Sequence, residues 1–139
     1  MTAVERKTRC LLVCSVVEER TFETMQNVVN QAGQLAPGAR HFYSDGLPVY
    51  ATLAYPIGAR HEVAPGKSQT YTVEGVNADL RHYLGRLLRR NRCFSRSLNA
   101  LKQAVWLFAY AYNRRQLFRA TYPKLKQRPP IINFLPVLN

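Results

Sequence analysis

The order of apolar and polar positions divides the chain into a strand-rich first half and a helical second half. Arg9–Val17 (RCLLVCSVV) is β-branched and apolar between charged flanks, which predicts a buried strand. MTAVE before it is long enough only for the end of a preceding strand. Thr21 suits the N-cap of a helix reaching about Ala32, with Phe22, Met25, Val28 and Val29 along one side. Arg40–Ser44 reads as a short strand stopped by Asp45-Gly46, and Pro48 suits a first helical turn through Val49, Tyr50, Leu53 and Ala54. Gly58–Ser68 holds a further short strand or loop. Thr70 or Thr72 then starts a long helix whose apolar positions (Val73, Val76, Leu80, Tyr83, Leu84, Leu87) recur near every 3.6 residues. After a break at Asn91–Ser97, Ser97 caps another helix carrying Leu98, Leu101, Val105, Phe108 and Tyr112. Four prolines after Tyr122 predict an extended tail over 121–139. Strands followed by helices give an α/β layered domain over 1–120 with a mixed sheet flanked by helices.

Charge sharpens this division. Of 139 residues, 20 are Lys or Arg and 8 are Asp or Glu, for a formal net charge of +12. Residues 1–79 hold all eight acids and seven bases, whereas residues 80–139 hold thirteen bases and no acid. Such asymmetry suits a polyanionic partner, nucleic acid ahead of an anionic membrane surface. No apolar run approaches the roughly 20 residues that span a bilayer, and the first residues lack the apolar core of a signal peptide. Three cysteines, Cys10, Cys14 and Cys93, make neither an even disulfide set nor a CxxC pair. Cys10 and Cys14 share a strand face and read as small buried thiols, and the expectation is a reduced, cytoplasmic protein.

Eight carboxylates are few enough to audit singly. Glu18, Glu19 and Glu23 suit the first helix's dipole. Glu62 reads as solvated and Asp79 as a surface acid among arginines. Three remain: Glu5 at the end of the first strand, Asp45 at the C-terminal edge of a later one, and Glu74 in the first turn of the long helix. Ligands of α/β sheets gather at such strand ends. Asn77 and Arg81 follow Glu74 at i+3 and i+7 on the same face, a row suited to a metal and a phosphate. The alternative is that Glu74 caps its helix while Arg81 faces solvent.

Arg86, Arg89, Arg90, Arg92 and Arg96 crowd the end of the long helix and the break after it. Helix-dipole complementation accounts for one or two of them, so a face that grips phosphates without reading sequence is the better expectation. Trp106, Tyr110 and Asn113 lie beside the apolar stripe of the last helix. Core burial is their expected role, with base stacking or a dimer contact as alternatives.

Three segments together resemble a known family: HFYSDGLPVYATLAYP, GKSQTYTVEGVNADLRHYLGRLLRRNRCFSRSLNAL and AYAYNRRQL. They are similar to the catalytic domain of the IS-one family of insertion-sequence transposases, as is the upstream VERKTRCLLVCSVVEERTFE, and the resemblance covers roughly Val4 to Leu117. It implies an RNase H-like fold and a DDE-type transposase that cleaves and joins DNA with two divalent ions, Mg²⁺ or Mn²⁺. By position, Asp45 matches the second acid and Glu74 the third. The first falls on Glu5, where the family has Asp, and the family's first strand begins further upstream. The resemblance implies impaired chemistry and an N-terminally shortened domain. Asn77 and Arg81 would hold the helix acid and a phosphate. Lys67 and His61 would reach DNA from the preceding loop, and the arginine cluster would grip the duplex. The implied partners are double-stranded DNA at element ends and target, a second copy of the chain, and an upstream zinc-finger/helix-turn-helix region; no membrane is implied. The competing reading is a non-catalytic DNA-binding remnant, and a third is an RNase H-like nuclease without transposition.

Overall fold

A computed structural model describes residues 1–64, 70–85, 97–125 and 129–135. The first segment is an antiparallel hairpin of β1 (Thr2–Val4) and β2 (Leu11–Cys14), with Thr2 opposite Cys14, Ala3 opposite Val13 and Val4 opposite Leu11. The buried strand therefore starts later than Arg9. Arg9 takes φ +61°, in the left-handed region, and the Glu5 N–H donates to the Cys10 carbonyl at 2.9 Å, so both residues belong to the turn. Cys10 and Cys14 are half-buried rather than enclosed.

Thr21 caps α1 (Phe22–Leu35) as expected. Its hydroxyl accepts from the Thr24 N–H at 3.2 Å while the Thr24 hydroxyl accepts from the Thr21 N–H at 2.9 Å, a reciprocal capping box. Met25, Val29 and Ala32 face inward, whereas Phe22, at the first helical position, stays half-exposed. β3 (His41–Ser44) and β4 (Arg60–Val63) then pair in parallel, joined by a crossover that contains a short 3-10 helix, Pro48–Thr52. α2 (Tyr71–Tyr83) buries Val76 and Leu80. α3 (Leu98–Thr121), capped by the Ser97 hydroxyl, buries Val105, Phe108, Ala111, Tyr112 and Gln116.

The protein is mixed α/β. Its four described strands make two separate two-stranded sheets, and among the described residues no ladder joins them into the single mixed sheet expected. The core divides in the same way. Leu11, Val76, Leu80, Phe108, Ala111, Tyr112 and Ile131 pack where the hairpin, α2 and α3 meet, while Met25, Val29 and Leu53 pack beneath α1. Across the division, the Arg6 guanidinium lies 5.2 Å from the centre of the Tyr43 ring.

The tail departs from the extended form expected. Ile131–Phe134 is a 3-10 turn that folds back on α3, with Ile131 buried and Phe134 5.5 Å from Phe118. Arg115 Nε donates to the Pro129 carbonyl at 2.7 Å. The prolines prevent a continuous helix here, but Ile131 and Phe134 supply enough apolar surface to dock.

Candidate functional site

Between the two sheets lies a cavity of about 580 Å³. Glu5, Asp45 and Glu74, three acids from distant parts of the sequence, all line it, together with Asn77, Ser44 and His61. Each reaches it from the end of an element: Glu5 from the turn after β1, Asp45 just past β3, Glu74 from the first turn of α2.

Their hydrogen bonding differs. Glu5 is committed to its own turn. One carboxylate oxygen accepts from the Lys7 N–H at 2.8 Å, and the other accepts from the Thr8 N–H at 2.6 Å and from the Thr8 hydroxyl. Partial burial pushes the Glu5 carboxyl up, but the bonds from Thr8 and Lys7, with the Lys7 charge, outweigh it and hold it below its ordinary value of 4.5. Asp45 is exposed and accepts one long bond, 3.3 Å, from the Leu47 N–H, a turn contact that leaves most of its lone pairs free. Glu74 is also exposed and accepts from the Thr70 hydroxyl at 3.5 Å.

The row along α2 is divided. Asn77 Oδ1 accepts from the Thr2 hydroxyl at 2.9 Å, so this amide ties α2 to β1 rather than steadying Glu74. Arg81 is exposed and lines a neighbouring cavity of about 460 Å³, which Asp45 and Asn77 share. Among the described residues, no three His, Cys, Asp or Glu side chains come together closely enough to hold a metal ion. The donor chemistry of Asp45 and Glu74, hard oxygens with free lone pairs, suits a divalent cation, whereas Glu5 as bonded does not complete the set. Lys67, Arg86, Arg89, Arg90, Arg92 and Arg96 lie outside the described residues.

The floor of the cavity holds groups that the sequence singled out faintly or not at all. His61 Nε2 lies 2.8 Å from Ser44 Oγ, and its ring stacks on Tyr55 with centroids 4.8 Å apart and planes 5° from parallel. The Tyr55 hydroxyl donates to the Tyr50 carbonyl at 2.8 Å, and burial together with Tyr50 pushes it up to about 12, so it stays protonated near neutrality. The parallel register sets His61 opposite Phe42 and two positions from the Ser44–Val63 pair, a pairing that no spacing along the chain signals. Glu62 is paired rather than simply solvated: His41 Nδ1 lies 2.8 Å from its Oε1.

On α3, Trp106 is 66% exposed and Tyr110 37%, so neither is a core aromatic. Asn113 is half-buried, and its amide matches both backbone groups of Leu11. Oδ1 accepts from the Leu11 N–H at 2.7 Å and Nδ2 donates to the Leu11 carbonyl at 2.8 Å. One side chain thus supplies the ladder bonds of a missing strand partner. Among the described residues, no helix is long and apolar enough to cross a membrane. In comparisons with known proteins, no family model matches the chain, no curated protein matches it and no solved structure matches it.

Proposed function

We propose that the chain is a DDE-type transposase domain, RNase H-like in plan, that cleaves and joins duplex DNA. The observation that carries this reading is the meeting of Glu5, Asp45 and Glu74, brought from three separate elements, on one cavity. The element order also supports it: an antiparallel hairpin, a helix, two parallel strands and an acid-bearing helix. Asp45 and Glu74 present free oxygen lone pairs to the cavity, where they would accept hydrogen bonds from a water or a DNA 3′-hydroxyl. Arg81, across the shared wall at Asp45, would hold a phosphate. The acid-free second half would supply sequence-independent grip on element ends and target, with a second copy of the chain completing the assembly. The reading takes Mg²⁺ or Mn²⁺ as cofactor, and the engaged state of Glu5 is the part that disagrees with it.

That disagreement favours a second reading, a DNA-binding remnant whose first acid has become part of a turn. Strand transfer of pre-cut duplex ends into a supercoiled plasmid, with Mg²⁺ or Mn²⁺, tests both. The first reading expects weak joining that rises in Glu5→Asp and disappears in Asp45→Asn and Glu74→Gln. Duplex binding without joining, in both the natural chain and Glu5→Asp, would leave only the remnant. Nicking without joining would make the domain a nuclease.

A further inference from the structure

The exposed face of α3 carries Lys102, Trp106, Tyr110 and Arg114, each four residues after the last. On an α-helix that spacing forms one gently inclined row, about 18 Å from end to end at 1.5 Å per residue. The row runs cation, aromatic, aromatic, cation. The two rings are stacked on each other, with centroids 5.9 Å apart and planes 22° from parallel. The Arg114 guanidinium lies 5.6 Å from the centre of the Tyr110 ring, and its Nη1 donates to the Tyr110 hydroxyl at 3.4 Å. One end of the stack is therefore closed by a cation, while the indole of Trp106 at the other is 66% exposed. A large rigid aromatic held in place by its neighbour but open to water is costly to leave uncovered.

We infer that this row is a stacking platform for single-stranded nucleic acid, in which a base lies on the open indole of Trp106 while Lys102 and Arg114 contact the flanking phosphates. Charge selects this occupant. α3 has four cations and no acid, so a second copy docking face to face would bring like charges together without a counter-charge. A phosphodiester strand brings the missing negative charge and a π-face together. Leu107 and Leu117, both exposed beside the row, widen the apolar surface against which a base edge would rest. This surface uses none of the cavity acids, so its success or failure is separate from that of the transposase reading.

Trp106 is the only tryptophan, so its fluorescence reports on this site alone. The full chain is titrated with oligo(dT), oligo(U), a duplex of equal length and inorganic polyphosphate. Quenching by a single strand, with polyphosphate binding but not quenching, is the expected result, and the tighter of oligo(dT) and oligo(U) names the source. Trp106→Ala should weaken single-strand binding roughly 5- to 150-fold by anisotropy of a labelled oligonucleotide, and Trp106→Phe should restore most of it. Because Trp106 is exposed, circular dichroism of both variants should match the natural chain. Single strands that bind without quenching, or a duplex that quenches equally, would overturn the platform. So would a change in Trp106 emission with protein concentration alone, which would assign the face to a second copy.

Discussion

Glu5 shows how far a carboxylate's surroundings decide its use. Lys7 and Thr8 present two N–H groups and a hydroxyl within reach of the side chain, and an anion that accepts three bonds has little capacity left for a metal. The depressed Glu5 value fixes a sign. Its contribution to stability is present above the unfolded value of about 4.5 and is lost as pH falls through the lower folded value. Glu5→Gln should therefore cost about 1 kcal/mol at pH 7, discounted for its exposure, and less below pH 4. Urea denaturation at the two pH values measures this, and an equal loss at both would show that the charge is irrelevant. Asn113 offers a larger effect. Removing its amide in Asn113→Ala leaves the Leu11 N–H and carbonyl unpaired beside the core, and the expected loss is about 2–4 kcal/mol in the same assay.

Among the elements, α1 was the most readable. Its cap follows from Thr21, and Met25 and Val29 lie on the face the spacing marks as apolar, although the helix runs on to Leu35 and Phe22 stays half-exposed. Its contact with the crossover was not readable, because that depends on Gly33 meeting a residue far along the chain. A Cβ at Gly33 would stand 2.6 Å from Pro56 Cγ, and a proline ring on a bound backbone has little room to yield. Alanine in a helix normally gains up to about 1 kcal/mol over glycine. Here Gly33→Ala should instead lower stability by about 1–2 kcal/mol, read as a lower urea midpoint at unchanged slope. α3 was readable in type and in the stripe it buries, Val105, Phe108 and Tyr112. What the spacing misplaced was Trp106 and Tyr110, expected in the core beside that stripe. β2 and α2 pack on the Phe108 and Tyr112 side, which leaves Trp106, Tyr110 and Leu117 in water.

At the scale of the molecule, charge asymmetry and the divided sheet set the expectations. Sequence-independent binding through phosphates predicts that affinity for unrelated duplexes is similar and falls steeply on a log–log plot against salt. Electrophoretic or anisotropy titrations from 50 to 200 mM salt, about 10³-fold or more apart for six phosphate contacts, would show it; a flat response would count against the grip. The gap between the sheets bears on the chemistry. With the turn after β1 meeting β3 through the Arg6–Tyr43 contact rather than a strand ladder, the three acids share a cavity without being drawn into one cluster.

The sequence by itself determined the type of most elements, the Thr21 and Ser97 caps, and the neutral and cationic halves, because each rests on neighbours along the chain. Only the tertiary structure decided how those residues are used. That Glu5 is bound within its turn, that Asn77 and Asn113 serve as ties to β1 and β2, that Trp106 faces solvent, and that Ile131 closes the core all depend on partners the one-dimensional pattern does not place. Burial and hydrogen-bond saturation are properties of the packed surroundings, and they separate a reactive carboxylate or an open aromatic from a structural one.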